Sequence, residues 1–329
     1  MAKISVIVPV FKAENYIEKC AKSLLSQTLD DIEYIFVDDC TPDNSIEILR
    51  RVVEQYPHRR EHVRIERMPQ NSRLAAVRRY GIQLATGDYV IHCDSDDWVD
   101  VDYYEKMYAE AIRCDADVVF APIVDEYVGS SVLRKMESLP NTGTGKEIVS
   151  SWYGTNIAMF TVNKLVKRSI YTDNGILPFE GVNMWEDNGL MLRVLYYANR
   201  ISSITGPAYH YNHTNMGAMT ASYGRSAVDQ MLKCADLLGK FFAEKSDAQE
   251  YAKTVNAVKY LAKLNLITTD FTGIREFKQT FPESDEAVNY ISLNAFSTKG
   301  KIRFLFVKYH MAWLFVTLFK CASLFSKRK

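Results

Sequence analysis

Four short apolar runs separated by amphipathic stretches occupy the first hundred residues, and that alternation leaves few folds open. Ile4–Val10 reads as a strand buried on both faces, and Ile17, Cys20, Ala21, Leu24 and Leu25 then recur at helical spacing. Tyr34–Val37 is a second short run. Asn44, with Glu47 three residues on, is placed to cap a helix lined by Ile46, Leu49, Val52, Val53 and Tyr56. Val63–Glu66 reads as a third strand, with Leu74, Val77, Gly81 and Leu84 as the inner face of the next helix. Gly87-Asp88 turns into a fourth buried strand, Tyr89–Cys93. A βαβαβαβ order implies a parallel, doubly wound sheet with right-handed crossovers. Ligands of such sheets sit beyond the carboxyl ends of the strands, which gathers Pro9–Glu14, Asp38–Asn44 and Asp94–Asp97 around one crevice.

Further along, residues 115–222 are less regular and read as a second half of the same domain. From Ala227 through Met231, Leu232 and Leu238 to Leu266 the pattern is helical and amphipathic. Forty basic residues balance forty acidic ones, so no overall charge points to nucleic acid. The cysteines at 20, 40, 93, 114, 234 and 321 form no CxxC pair and read as reduced thiols rather than disulfides or zinc ligands. The first strand begins at Ile4, too close to Met1 for a signal peptide, so the expected location is cytoplasmic.

Asp94-Ser95-Asp96-Asp97 carries the strongest chemical signal. Three carboxylates in four residues repel one another unless a cation or hydrogen-bond donors neutralise them. In an extended chain Asp94 and Asp96 point along alternating directions, so a turn is needed for one to meet a hard divalent ion and the other a ribose. Mg²⁺ and Mn²⁺ take such oxygen ligands and bridge them to phosphates. An acidic turn capping the following helix is the plainer alternative. Asp38-Asp39 ends the second strand, where carboxylates accept hydrogen bonds from a base or a ribose, and Thr41–Ser45 is equally explained by turn chemistry. No GxGxxG follows the first strand and no GxxxxGK[ST] occurs, against dinucleotide oxidoreductases and P-loop enzymes.

Taken in order, these segments resemble the family-2, inverting glycosyltransferases of the GT-A fold. The matching stretches are Ser5–Phe11 with Glu14–Ile17, Ser23–Thr28, Phe36–Asp39, Asp43–Ser45 and Ala85–Val90 leading into Asp94–Trp98. Asn163-Lys164-Leu165, Trp185-Glu186-Asp187 and Met219-Thr220 look like later markers of the family. The resemblance is close over residues 1–125 and looser to 222.

What the resemblance implies is a metal-dependent transferase using a UDP-sugar, with Pro9 and Val10 lining the nucleotide and Glu14 and Asp39 at the uridine. Asp94 and Ser95 would lie at the ribose and diphosphate, and Arg78 near the donor. Asp96, with Asp94, would bind Mn²⁺ or Mg²⁺, and Asp97 would contact the sugar or support the site. Glu186-Asp187 matches the pair holding the general base, with Asp187 favoured and Glu186 as its orienting neighbour. The acceptor would be a glycan or lipid-linked glycan in surface polysaccharide assembly. Three departures stand out. Asn71-Ser72-Arg73 replaces a Gly-rich loop, Arg79 a common Asn, and His92-Cys93 an apolar-Leu pair. His92 reads as a packed strand residue. His210 and His213 are open to two readings, a ligand near the diphosphate or, more commonly at such spacing, structural side chains. A nucleotidyltransferase and a non-catalytic sugar-nucleotide-binding protein are the rival functions.

The expected organisation is a GT-A catalytic domain over 1–222, nucleotide-binding in 1–115 and acceptor-facing in 116–222. A helical extension follows over 223–300, then a basic amphipathic tail over 301–329. From Lys301 onward there are seven Lys/Arg and no Asp or Glu, interleaved with Phe, Leu, Val and Trp. Such a segment suits contact with an anionic membrane surface; the alternative is a helix packed on the catalytic domain or on a second subunit of a homo-oligomer.

Overall fold

The computed structural model describes residues 2–134, 143–155, 157–215, 217, 224–268, 271–293 and 296–326, with side chains described as far as residue 320. Met219-Thr220 and Lys327-Arg328-Lys329 lie outside the described residues. The chain divides into two compact units, Met1–Glu147 with Met159–Ser222, and Ile148–Ala158 with Tyr223–Lys329.

The first unit holds strands β1 (Ile4–Val10), β2 (Ile32–Asp38), β3 (Val63–Arg67), β4 (Tyr89–His92), β5 (Trp98–Val99), β6 (Val118–Phe120), β7 (Ile123–Tyr127), β8 (Ser130–Leu133), β9 (Lys164–Lys167), β10 (Ile201–Ser203) and β11 (Tyr209–Asn212). Its helices are α1 (Ile17–Leu25), α2 (Ser45–Glu54), α3 (Arg73–Leu84), α4 (Tyr103–Cys114), α6 (Arg168–Asp173) and α7 (Glu186–Tyr197), while α5 (Gly145–Ser151) runs across the boundary into the second unit. The main sheet has the order β10-β6-β9-β4-β1-β2-β3, and only β9 runs against its neighbours. The sheet is thus mixed α/β and mostly parallel. A second sheet, β5-β11-β7-β8, follows the acidic turn.

Successive side chains of a strand face opposite sides. In β1, Ile4, Val6, Val8 and Val10 join the core beneath α1, α2 and α4, and Ile7 faces α3. There Gly81 lets α3 approach the strand, since a Cβ at 81 would lie 2.4 Å from Ile7 Cγ2. At the other end of β1, Glu33 is buried and accepts from Ser5 Oγ, Thr86 N and Gly87 N. Those bonds fix the turn that launches β4. Gly87 is required there because a Cβ would meet the Ile4 carbonyl carbon at 2.8 Å.

Two local expectations need correction. Asn44 is the N-cap of α2 but makes no side-chain cap bond; Asp43 accepts from Ser45 N at 3.2 Å instead. The buried face of α3 is Ala75, Val77, Arg78, Gly81 and Ile82, with Leu74 and Leu84 only half-buried. That rotates the helix so that an arginine faces inward. Of the cysteines, 20, 93 and 234 are buried, 40 and 114 partly so, and all five are free thiols.

The second unit contains α8 (Arg225–Ala243), α9 (Ala248–Leu264), α10 (Thr272–Gln279), α11 (Thr298–Lys308) and α12 (Ala312–Ser326). A core of Tyr260, Leu264, Ile267, Phe277, Phe304, Phe315 and Val316 holds these helices together. Lys263 is fully buried within it, donating to the Thr280 and Phe281 carbonyls and to Asp285.

Candidate active site

In the sheet order the chain runs outward from β1 to β2 and β3, then returns to β4 on the other side of β1. The carboxyl ends of β1 and β4 therefore flank the switch point where such sheets bind ligands. Four non-glycine residues with positive φ gather around it: Lys12 (52°), Cys40 (55°), Arg73 (70°) and Trp185 (66°). Such backbone is costly for residues with a Cβ and is held by surrounding structure.

β4 ends at His92, and the chain then turns, with Asp97 N donating to the Asp94 carbonyl at 3.1 Å. The turn separates the three carboxylates into different environments. Asp97 is 2% exposed; its carboxylate accepts from Tyr209 Oη at 2.5 Å and from Asn212 N at 2.7 Å. Burial and the neighbouring Asp96 and Asp94 charges push its carboxyl well above the usual range. Asp97 thus ties the acidic turn to β11. Asp96 is partly exposed and accepts from Asn215 Nδ2 at 2.7 Å. Its carboxyl is raised by burial and then by the Asp94 charge. Ser95 is nearly buried in the same turn.

Asp94 Oδ1 accepts from Arg78 Nη2 at 2.7 Å, and the other arm of the same guanidinium, Nη1, is ion-paired with Glu186 Oε1. Arg78 is 3% exposed and held firmly protonated by Asp94, Glu186 and Asp187 despite its burial. It is no solvated helix residue. Through it, the end of β4 and the start of α7 form one cluster. Burial pushes Glu186 above the usual carboxyl range, and the Arg78 charge opposes that shift. Asp187 is likewise raised by burial, against the lowering by Arg78 and Lys164. Its Oδ1 accepts from Asn188 N at 2.7 Å. Lys164, buried on β9, donates to the Phe160 carbonyl and to Asn163 Oδ1, and burial lowers it to about 7.

The remaining candidates spread along the crevice. Pro9 is half-buried and Val10 buried at the end of β1, and Glu14 accepts weakly from Asn44 N at 3.3 Å. Asp39 is 4% exposed, with Oδ1 and Oδ2 accepting from Ser72 N at 2.6 Å and Arg73 N at 2.9 Å. It thereby caps α3 and shapes the Asn71–Arg73 segment. Asn183 Oδ1 accepts from another first-turn amide of α3, Ala75 N, at 3.0 Å. Beside these caps lies a cavity of about 310 Å³ lined by Ser72, Ala76, Arg79, Phe179, Glu180 and Asn183, among others.

His210 and His213 are engaged by protein partners. His210 bonds Glu126 Oε1 and Asp100 Oδ1 and stacks on Trp98, and His213 bonds Asp125 and stacks on Tyr127. Both brace the second sheet. His92 is buried in β4, with burial holding it neutral. Tyr209, Asn212 and Asn215 enter the site without a sequence signal for their roles, while Lys164 belongs to the Asn163-Lys164-Leu165 marker.

Among the described residues no three His, Cys, Asp or Glu side chains are grouped as ligands for a metal ion. A divalent ion shared with a diphosphate needs only one or two protein carboxylates. Asp94 and Asp96 fit that requirement. The Asp94 charge raises the Asp96 carboxyl, and Arg78 is shared among Asp94, Glu186 and Asp187.

Residues 5–175 match the family described as glycosyl transferase family 2, which is more than half of the chain. The chain belongs to glycosyltransferase family 2. It is 27% identical over 261 residues to the putative glycosyltransferase EpsH of Bacillus subtilis (strain 168), covering 77% of this chain and 73% of the relative. Its fold is similar to that of S. aureus TarS 1–349, crystallised with UDP-GlcNAc: TM-score 0.70, 19% identity, 98% of this chain and 92% of TarS 1–349 covered. The mannosyltransferase PcManGT from Pyrobaculum calidifontis, in complex with GDP-Man and Mn²⁺, aligns with TM-score 0.54 at 14% identity over 97% of this chain and 87% of its own. The likeness to TarS identifies the fold as GT-A, with a helical C-terminal region.

Proposed function

We propose that this glycosyltransferase moves a sugar from a UDP-sugar onto an acceptor hydroxyl by direct displacement, inverting the anomeric centre. The observation that carries the reading is the Arg78 fork, which joins Asp94 on the donor side to Glu186 at the start of α7. It sets Asp94 beside Glu186, the sequence neighbour of Asp187, which supports the reading. Pro9, Val10, Glu14 and Asp39 line the nucleotide, and Asp94 and Ser95 lie at the ribose and diphosphate. Asp97 supports the turn from behind, consistent with its burial.

Asp187 serves as general base. Asp187 is half-buried as a residue, whereas Glu186 is buried and engaged by Arg78 and so orients the cluster. A carboxyl raised by burial is also better matched to taking a hydroxyl proton near neutral pH. Mn²⁺ or Mg²⁺ held by Asp96, with Asp94, would neutralise charge on the departing diphosphate. Residues 1–115 form the nucleotide half of the catalytic domain and 116–222 the acceptor half. The acceptor is a glycan or lipid-linked glycan of a surface polysaccharide. The uridine assignment is supported by the UDP-GlcNAc and UDP complexes of TarS.

Thermal unfolding with UDP, GDP, CDP and TDP, each with and without Mn²⁺, tests the reading. UDP should raise Tm most, and more with metal, because only native protein binds it. A larger shift with GDP would replace the donor class, and no shift with any nucleotide would remove the reading.

A further inference from the structure

The α11–α12 pair is apolar on both of its faces. Its inner face packs Phe304, Val307, Phe315 and Val316 into the core of the second unit. Its outer face carries Ile302, Leu305, Tyr309, Met311, Trp313 and Leu318, all exposed; Tyr309 is 62% and Trp313 57% accessible. Helices apolar all round are normally covered on every side. Among the described residues nothing covers this one, and an exposed apolar face of this kind marks a contact surface.

Charge and length decide what covers it. From Lys301 to the end the chain has seven Lys/Arg and no acid, so two copies meeting through this face would bring like charges together. An anionic lipid surface is complementary to both properties at once. α12 spans 15 residues, about 22 Å at 1.5 Å per residue, short of the roughly 30 Å hydrocarbon layer. Among the described residues no helix is long and apolar enough to cross a membrane. Tyr and Trp are the side chains that settle at the headgroup level, and here Tyr309 and Trp313 are exposed and lie in the sequence between Lys308 and Lys320.

We infer that the outer face of α11–α12 is a docking surface for an anionic bilayer, lying in the interface with Tyr309 and Trp313 inserted. The attraction combines buried apolar side chains with the basic charges, so it weakens with salt. This inference does not depend on which donor the catalytic unit uses.

Full-length protein is sedimented with vesicles of phosphatidylglycerol and phosphatidylcholine, and with phosphatidylcholine alone. The expected result is pelleting with the anionic vesicles only, reduced at least about two-fold by ~0.5 M NaCl. The variant Tyr309→Ser/Trp313→Ser should keep its Tm, since both side chains are exposed, and lose about five-fold or more in bound fraction. A second variant, Lys301→Glu/Lys308→Glu, leaves the apolar face intact and should lose the preference for anionic lipid. Unchanged binding in both variants, or equal binding to neutral vesicles, overturns the proposal. So does light scattering that shows a dimer dispersed by the Tyr309→Ser/Trp313→Ser change with no vesicle binding; the face would then be a subunit contact.

Discussion

Arg78 and Glu186, 108 residues apart in the sequence, are ion-paired in the interior, and the same guanidinium holds Asp94 at 2.7 Å. Planar fork geometry lets one side chain satisfy both carboxylates, which an ammonium cannot imitate.

Removing that fork leaves Glu186 buried without its counter-charge. Arg78→Met is expected to destabilise the fold by about 3 kcal/mol, the lower end for a broken buried pair because Asp94 remains 29% exposed. Arg78→Lys should recover part of the stability but little of the transfer activity. Urea unfolding and a transfer assay on the two variants check this; equal activity in Arg78→Lys and wild type would deny the fork its role.

The Asp97–Tyr209 bond makes a separate prediction about the acidic turn. Tyr209→Phe strips a donor from buried Asp97 and an acceptor from the Asp94 amide. A cost of about 1–3 kcal/mol in unfolding free energy is expected, with nucleotide affinity changed only a few-fold. A large loss of affinity at unchanged stability would instead place Asp97 against the ligand.

These two clusters mark the boundary of what the sequence discloses. β1, β2 and β4 are legible because strands covered on both faces read as apolar runs, and α1 because one face is apolar at helical spacing. The second sheet is not legible: β5 is two residues long, and β11 reads Tyr-His-Tyr-Asn, where Tyr209 meets Asp97, His210 meets Asp100 and Glu126, and Asn212 meets the Asp96 carbonyl, all from distant segments. The inward face of α3 differs from the sequence pattern for a related reason. A buried arginine looks like a surface residue until its two carboxylates, at 94 and 186, are known to converge on it. The resemblance supplied Asp94, Asp96 and Asp187 as a set; the bonds of Asp39 to the Ser72 and Arg73 amides and of Asp97 to Tyr209 and Asn212 depend on residues far away in the chain.

Lys164 gives a pH signature. Burial lowers it from 10.5 to about 7, so the folded state disfavours the charged form while the unfolded chain binds a proton up to about pH 10.5. Stability from this group therefore rises as pH increases from about 7 to 10.5 and is flat below 7. Unfolding free energies of wild type and Lys164→Met across that window should diverge in favour of wild type as pH rises. Parallel curves would mean that Lys164 stays charged in the fold.

Asp96 controls the metal dependence in the proposed site. Asp96→Ala is expected to remove most of the Mn²⁺-dependent part of UDP affinity measured by calorimetry, because that carboxylate would bridge ion and diphosphate. Metal-dependent binding that survives unchanged would assign the ion to other ligands.

The base at Asp187 is the point on which the catalytic account turns, and one comparison tests it. Donor dissociation constant and turnover are measured side by side for wild type and Asp187→Asn. The amide preserves size and polarity but cannot accept the hydroxyl proton, so turnover should fall by at least about 10²-fold while donor affinity stays within a few-fold. Turnover within a few-fold of wild type would contradict the account and move the base to Glu186 or elsewhere.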